Sequence, residues 1–308
     1  VGMLAVGVGG LEIAAGMASA RCFLSYPKVI RVNLEGELLP WVSAKDIALE
    51  MLRRFTTKGN VGTAIEYGGP ALATLSVPER ATIANLGAEM GVTTSIFPSD
   101  EVTRSFLAAQ DREADYSPLQ ADDDAVYEKT VTLDLAQIVP NIACPHSPDN
   151  VRTVKEIEGL EVHQVIVGSC ANSSYHDLAI AAEMLRGKRA HPKLSFGIAP
   201  GSRQVQIMAT RNGLVDVFLA AGARLFESAC GFCCGCGQSP QSRGVSLRTN
   251  NRNYEGRSGT KDGQVYLVSP EVAVAAALTG RITDPRDLGI PYPSIRQPEK
   301  FMVDDGLI

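Results

Sequence analysis

The sequence is poor in aromatic residues and carries no excess of basic ones. Phe, Trp and Tyr make up 6% of its 308 residues, and 29 Lys and Arg face 34 Asp and Glu, for a net charge of −5. Nucleic-acid-binding proteins need clustered Lys and Arg for the phosphates, so the composition argues against a nucleic-acid partner. With 45% hydrophobic and 20% charged residues, the chain instead matches a globular protein of one large core or two ordinary domains.

The one long apolar stretch, Val1 to Ala20, lacks the features of a membrane span or a signal peptide. No basic residue precedes it, Glu12 interrupts it, and small residues are scattered through it. We therefore predict no membrane segment, and interpret the stretch as a loop that leads into a buried helix. Because position 1 is not Met and no helix cap precedes the apolar run, we expect further residues upstream in the parent protein.

The cysteines lack the arrangement of a disulfide framework. Their number, seven, is odd, and four of them lie within seven positions. With no export signal, this pattern predicts a reducing compartment, the cytoplasm, and thiolates that serve as ligands. The seven are Cys22, Cys144, Cys170, Cys230, Cys233, Cys234 and Cys236.

The first half of the chain alternates strand-like and helix-like patterns. Val29 to Leu34 alternates with period two, which predicts a half-buried strand, and Ser43 suits the N-cap of a following helix. A second strand is predicted over Thr63 to Tyr67. A polar, acidic stretch from Gln110 to Lys129 follows. Its cluster Ala121 to Asp124 predicts a solvated linker, so we place a domain boundary near residue 130.

The second half repeats a strand, a turn rich in Gly or Ser, and in most cases a helix. Four such steps imply a mostly parallel sheet covered by helices on both faces. Ligands of such sheets bind outside the carboxyl ends of the strands, where these turns lie. The predicted strands cover residues 163–167, 194–198, 223–226 and 265–268.

The pair Cys230 and Cys233 has a spacing that lets two thiols point to one centre, and Cys170 follows another predicted strand of the same sheet. Three thiolates on loops at one face can hold three corners of an iron-sulfur cube. A zinc site stays open, because Cys234 or Cys236 would complete four ligands. A redox-active Cys-x-x-Cys pair is a further alternative, although that motif normally opens a helix and a Gly-rich loop follows here.

Two arginines five positions apart, Arg252 and Arg257, lie on a polar, Gly-containing loop. Guanidinium groups bind carboxylates bidentately, so the pair suits a dicarboxylate or tricarboxylate, although a solvated surface loop would have the same composition. Asn85 and Glu89 are one helical turn apart and therefore share a face of their helix.

Five motifs, in this order and with similar gaps, resemble the signatures of the aconitase and isopropylmalate dehydratase superfamily, and the resemblance covers essentially the whole chain. It implies an α/β fold of aconitase-type domains, with mixed or parallel sheets flanked by helices in a three-layer αβα arrangement. The expected domains are the end of a first α/β domain (1–27), a second (28–130) and a third that carries the cluster (131–308). The motifs are Ile65 to Pro70, Thr82 to Glu89 together with Thr93 to Pro98, Gly168 to Tyr175, Ala229 to Cys233, and Asn251 to Arg257.

The resemblance also implies roles for individual residues. Cys170, Cys230 and Cys233 are expected to ligate a 4Fe-4S cluster whose fourth iron has no protein ligand and acts as a Lewis acid. Glu89 is the expected catalytic acid-base residue that handles the departing water. The expected substrate-binding residues are Arg252 and Arg257 for the carboxylates, with Asn85 and Asn251 near the cluster.

Within the superfamily, the Thr-rich segment Thr93 to Pro98 is similar to its counterpart in bacterial-type aconitate hydratase. We therefore expect a hydro-lyase of the tricarboxylic acid cycle that interconverts citrate and isocitrate through cis-aconitate. The alternatives are the large subunit of an isopropylmalate or homoaconitate dehydratase and, in another class, an RNA-binding regulatory protein formed when the cluster is lost.

The sequence departs from the family pattern in and around the cysteine motifs. Ala171 stands where the family often has Thr, Phe232 where it often has Pro, and Cys234 and Cys236 are additional thiols. The family's Asp-Ser-His segment and its mobile C-terminal domain, with a catalytic serine and further arginines, are not found in this sequence. We expect them as partners of this chain, which by itself would be inactive or nearly so.

Overall fold

The computed structural model describes residues 1–21, 23–295, 298–304 and 306. Cys22, one of the predicted thiols, lies outside the described residues. The helices are α1 (Gly10–Ser19), α2 (Ala44–Phe55), α3 (Val77–Gly87), α4 (Glu101–Ala108), α5 (Tyr175–Leu185), α6 (Arg203–Arg211), α7 (Leu214–Ala220) and α8 (Pro270–Thr279). The strands are β1 (Lys28–Glu35), β2 (Thr63–Gly68), β3 (Thr94–Ile96), β4 (Lys129–Asp134), β5 (Asn141–Ala143), β6 (Val151–Thr153), β7 (Gln164–Val167), β8 (Ser195–Ile198), β9 (Arg224–Leu225), β10 (Val245–Arg248) and β11 (Gln264–Leu267).

The first sheet has the strand order β3-β2-β1-β4, and all of its neighbouring strands are parallel. The period-two pattern predicted for β1 is confirmed, since Ile30, Val32 and Leu34 are buried and alternate with less buried residues. Ser43 is confirmed as the N-cap of α2, where its side chain and that of Asp46 form a capping box. Helices α2 and α3 pack against each other beside this sheet.

The second sheet is mixed and has the order β6-β5-β11-β10-β7-β8-β9. The strands from β11 to β9 are parallel, whereas β5 and β6 form an antiparallel edge. The prediction of an α/β fold with parallel and mixed sheets flanked by helices is therefore confirmed. The carboxyl ends of β10, β7, β8 and β9 lie at one edge of the sheet, so the loops that follow these strands meet there.

The two faces of β7 pack against different parts of the chain. Val165 and Val167 belong to the large core that includes residues of α5, α7 and α8. Ile166 instead contacts a smaller cluster on the opposite face, which contains Phe226, Phe232 and other residues that follow β8 and β9. The cysteine-rich segment is therefore anchored to the sheet by apolar contacts.

One expectation about the first half was wrong. The helix in the apolar N-terminal stretch, α1, has no buried residue, and Leu11 and Met17 are more than four-fifths exposed, because no described residue covers this helix. The acidic cluster from Ala121 to Asp124 is largely exposed, and just before it Leu119 forms an antiparallel bridge with Ser99 at the edge of the first sheet. Among the described residues, no helix is long and apolar enough to cross a membrane.

Candidate active site

Cys170 lies in a turn with an unusual backbone conformation directly after β7. Gly168 has φ +149°, and a Cβ placed there would come within 2.6 Å of the Ala199 Cβ; Ser169 follows with φ +88°. The hydroxyl of Thr249 pins this turn, because it donates to the Gly168 carbonyl (2.7 Å) and accepts from the Gly168 amide (2.8 Å). The Cys170 thiol is exposed at this edge of the sheet.

Cys230 and Cys233 lie on the loop after β9, which forms a short 3-10 turn over Phe232–Cys234. The amide of Cys233 donates to the carbonyl of Cys230 (3.2 Å). Phe232 stacks on Phe226 with ring centroids 5.5 Å apart, so the residue that departs from the family pattern anchors the loop. Cys230 is exposed and Cys233 is 8% exposed.

Arg248, the last residue of β10, lies beneath the cysteine loop and is fully buried. Its guanidinium donates to the carbonyls of Phe232 and Gln238 and to the side chain of Gln164, each at 2.7 Å, and to the Ser246 hydroxyl at 3.0 Å. Burial lowers the pKa of Arg248 to about 10, so it stays cationic at neutral pH. One buried cation thus holds the two ends of the segment from 232 to 238.

Among the three predicted ligand thiols, only Cys233 is buried. The pKa of Cys233 is raised to about 12, mainly by burial and to a smaller extent by negative charge on Cys230 and Cys170. Within the described ranges, however, no three Cys, His, Asp or Glu side chains stand close enough together to hold one metal ion. A zinc site would require such a group, because all its ligands bind a single ion.

The donor set nevertheless fits a cluster in kind and number. Each cysteine of a cubane cluster binds a different iron, so its ligands stand further apart than those of a single ion. Cys170, Cys230 and Cys233 are free thiols on loops at the same edge of the sheet.

The other two thiols of the loop, Cys234 and Cys236, are exposed. The guanidinium of Arg257 lies 3.1 Å from the Cys234 sulfur and above the ring of Tyr254, 5.8 Å from its centroid. Arg257 is therefore held beside the cysteine loop, while Arg252 makes its contacts elsewhere.

The structure brings together four of the predicted site residues, from both halves of the chain. Arg252 Nε donates to Glu89 Oε1 (2.7 Å), and the Asn251 amide donates to Asn85 Oδ1 (3.0 Å). The side chain of Glu89 is 12% exposed, whereas that of Arg252 is 45% exposed. The carboxylate is thus shielded, and its cationic partner reaches solvent.

Sequence reasoning missed several residues that support this site. Lys45 is fully buried and donates through Nζ to the carbonyls of Thr249 (3.0 Å) and Asn250 (2.6 Å). Thr82 donates to the carbonyl of Ala171 (2.7 Å), which ties α3 to the segment after Cys170. No local sequence pattern predicts these contacts, because each joins residues at least 89 positions apart.

A small cavity of about 30 Å³ is lined by Asn172, Glu271 and residues of α3 and α5, and some of these residues carry polar atoms without a partner in the described part of the chain. Glu271 is 3% exposed and its Oε2 has no hydrogen-bond partner among the described residues, as is also true of Asn172 Oδ1. The pKa of Glu271 is raised to about 8, mainly by burial and to a smaller extent by the charges of Asp46, Asp177 and Glu79. A neutral carboxylic acid is therefore favoured there at pH 7.

The family model and the similar proteins point to the same family. The model of the Aconitase family (aconitate hydratase) matches residues 1–280. The chain is 38% identical to a 3-isopropylmalate dehydratase large subunit 2 of Archaeoglobus fulgidus, over 93% of this chain and 69% of that protein. It is 41% identical to a probable methanogen homoaconitase large subunit of Methanosarcina mazei, over 93% and 73% of the two chains. The crystal structure of Thermococcus kodakaraensis aconitase X (holo-form) matches with a TM-score of 0.43 and 14% identity, over 77% of this chain and 52% of that one.

These relatives correct the expected activity. They are named 3-isopropylmalate dehydratase or homoaconitase, so the prediction of an aconitate hydratase of the tricarboxylic acid cycle was wrong. That prediction depended on the Thr-rich segment Thr93 to Pro98. One of its threonines has a structural role, because Thr94 is buried in β3 and donates to the carbonyl of Ala5 (2.6 Å). The family itself is shown by a match that covers most of the chain and by relatives more than 30% identical to it, and the protein belongs to the aconitase family.

Proposed function

We propose that this chain is the cluster-bearing part of a hydro-lyase that dehydrates a malate with a substituent at C3, of the 3-isopropylmalate type. The closely similar homocitrate type is the second candidate, because one relative carries the name homoaconitase. The observation that carries the proposal is the contact of Glu89 with Arg252, which pairs a shielded carboxylate with an exposed guanidinium. An RNA-binding role gains no support from the relatives' names.

Cys170, Cys230 and Cys233 would hold a 4Fe-4S cluster in this enzyme. When bound, such a cluster supplies an iron without a protein ligand, a Lewis acid toward the hydroxyl and carboxylate of the substrate. Arg248 and Phe232 support the assignment, because they fix the loop that carries Cys230 and Cys233. Gly168 and Ser169 do the same for Cys170.

The remaining site residues would bind the substrate and move protons. Among the described contacts, Arg252 uses only Nε for Glu89, so its two terminal amino groups are available to a substrate carboxylate. Arg257 is directed to the cysteine loop and would bind a second carboxylate there. Glu89 would exchange a proton with the departing hydroxyl, and the Asn251 amide would hold this carboxylate and Asn85 in place.

The chain would work together with further polypeptide. Its relatives are named as large subunits, and it spans about 70% of their length. We propose that a small subunit, or an equivalent domain, closes over the exposed Arg252 and completes the binding of the substrate.

The proposal is tested by dehydration assays after anaerobic loading with iron and sulfide. The chain is combined with the small subunit of a 3-isopropylmalate dehydratase, and 3-isopropylmalate, homocitrate and citrate are compared through the absorbance of the unsaturated product. We expect turnover of 3-isopropylmalate at least about tenfold above that of citrate, a difference of about 1.4 kcal/mol in activation free energy. Preferred turnover of citrate would contradict the proposal, as would no turnover of any substrate when a relative's own large subunit is active in the same assay.

A further inference from the structure

Lys45 is a lysine without solvent exposure, at the place where the first half of the chain meets the second. It is the second residue of α2, and α2 packs against α3 as well as against β5 and β6 of the second sheet. Its ammonium donates to two backbone carbonyls about 200 positions away, those of Thr249 and Asn250. Lysines in the first turn of a helix normally reach solvent, so this contact needs a physical reason.

Burial of this ammonium is costly. Its hydrogen-bond partners are neutral carbonyls, and burial lowers its pKa to about 7, although Cys170, Asp177, Asp46 and Glu89 favour the charged form. A methionine would fill similar space without the cost of desolvating a charge. A Lys45→Met substitution would therefore keep the packing and remove the hydrogen bonds of the ammonium.

Those contacts fix the backbone from which two site residues project. Thr249 and Asn250 directly precede Asn251 and Arg252, whose side chains reach Asn85 and Glu89. The amide of Asn251 and the guanidinium of Arg252 are thus placed by the main chain that Lys45 holds.

The same carbonyl also connects Lys45 to the turn before Cys170. The Thr249 oxygen accepts from the Ser169 hydroxyl (3.3 Å) as well as from Lys45, and the Thr249 hydroxyl bridges both backbone groups of Gly168. The Lys45 ammonium thus contacts the loop that carries Arg252 directly, and it is connected to the turn that carries Cys170 only through Thr249.

We propose that Lys45 is a positioning residue of the active site: its ammonium holds the backbone at Thr249 and Asn250 so that Arg252 and Asn251 meet the substrate beside Glu89. The inference deepens the proposed function and rests on it. A merely structural role would give variants that are less stable but bind substrate normally once folded.

The test compares Lys45→Met and Lys45→Gln with the control Lys28→Met, which removes a lysine whose side chain is 65% exposed. Iron content and the dissociation constant of 3-isopropylmalate, from spectral changes of the iron-loaded chain, are measured for each. We expect unchanged iron content, about tenfold weaker binding for Lys45→Met, a smaller loss for Lys45→Gln and no loss for the control.

A double-mutant cycle with Arg252→Gln separates positioning from structure. If Lys45 acts through Arg252, adding Lys45→Met to Arg252→Gln weakens binding by less than about twofold. Fully additive losses would overturn the inference, as would normal binding by Lys45→Met. It would also be overturned if both Lys45 variants failed to fold, because the residue would then be a structural element only.

Failure of the proposed function has a different signature. A wild-type chain that loads no iron or binds no dicarboxylate contradicts the function but leaves the contact of Lys45 testable. In the chain without added iron, Lys45→Gln should speed amide hydrogen exchange of the segment 249–253 by about tenfold and leave α8 unchanged. Unchanged exchange of that segment would overturn the role of Lys45 independently of any activity.

Discussion

Replacement of Arg248 by methionine should loosen the cysteine loop. The substitution keeps an unbranched side chain but removes four hydrogen bonds to Phe232, Gln238, Gln164 and Ser246. Of the three oxygens bonded at 2.7 Å, the Phe232 carbonyl keeps the Gly235 amide and the Gln164 side chain keeps the Ser246 hydroxyl. Only the Gln238 carbonyl loses its sole donor among the described contacts.

The expected loss follows from that count. One orphaned buried carbonyl costs ~1–3 kcal/mol, and the three weakened contacts add to it, whereas removal of the buried cation's desolvation offsets part of the sum. We expect Arg248→Met to lower the free energy of unfolding by about 3 kcal/mol, at the low end of the ~3–5 kcal/mol for breaking a buried charged network. Urea unfolding measures this value, and Arg243→Met, at an exposed position in the preceding turn, is the control. A loss below about 1 kcal/mol, or one equal to that of the control, would refute the assignment of Arg248 as the anchor of this loop.

Two further substitutions test other parts of the site. Because the pKa of Glu271 rises from 4.5 to about 8 on folding, the folded chain binds more protons than the unfolded one between these values, and wild type loses stability as pH rises through them. The variant Glu271→Gln does not lose stability in this way. Its free energy of unfolding minus that of wild type should therefore increase by ~1–2 kcal/mol from about pH 5 to about pH 8.5. If this difference, measured by urea unfolding, does not change with pH, Glu271 does not take up a proton on folding. Gly235→Ala should destabilise the chain more than Gly222→Ala, because both positions have φ near +90° but only at 235 would the new Cβ meet a carbonyl, that of Ser258, at 2.3 Å. Equal thermal shifts for the two alanine variants would contradict the tight packing at Gly235.

The strands that the sequence predicted best are those with a clear apolar pattern. The alternation from Val29 to Leu34 matches β1, and the β-branched run before Gly168 matches β7. Strand β10 was missed, because two of its four residues, Ser246 and Arg248, are polar although all four are buried. A buried arginine that bonds backbone carbonyls has no signature in local hydrophobicity.

The site could be predicted in its members but not in its contacts. Asn85 and Glu89 were expected on one helix face, but α3 ends at Gly87 and Glu89 lies in the 3-10 turn that follows. Both still contact Asn251, and their partners Asn251 and Arg252 lie more than 160 positions away. Lys45 was missed for a similar reason, since a lysine near a helix start is expected in solvent and its carbonyl partners lie on a distant strand end. Such contacts depend on how the two sheets pack, which no local pattern specifies.

The identity of the metal ligands is tested most directly by anaerobic reconstitution followed by iron and sulfide analysis of single Cys→Ser variants. We expect about four irons per chain for wild type, Cys234→Ser and Cys236→Ser, and loss of the cluster in Cys170→Ser, Cys230→Ser and Cys233→Ser. If Cys234→Ser and Cys236→Ser lose their iron while the other three variants keep it, the proposed ligand set is wrong.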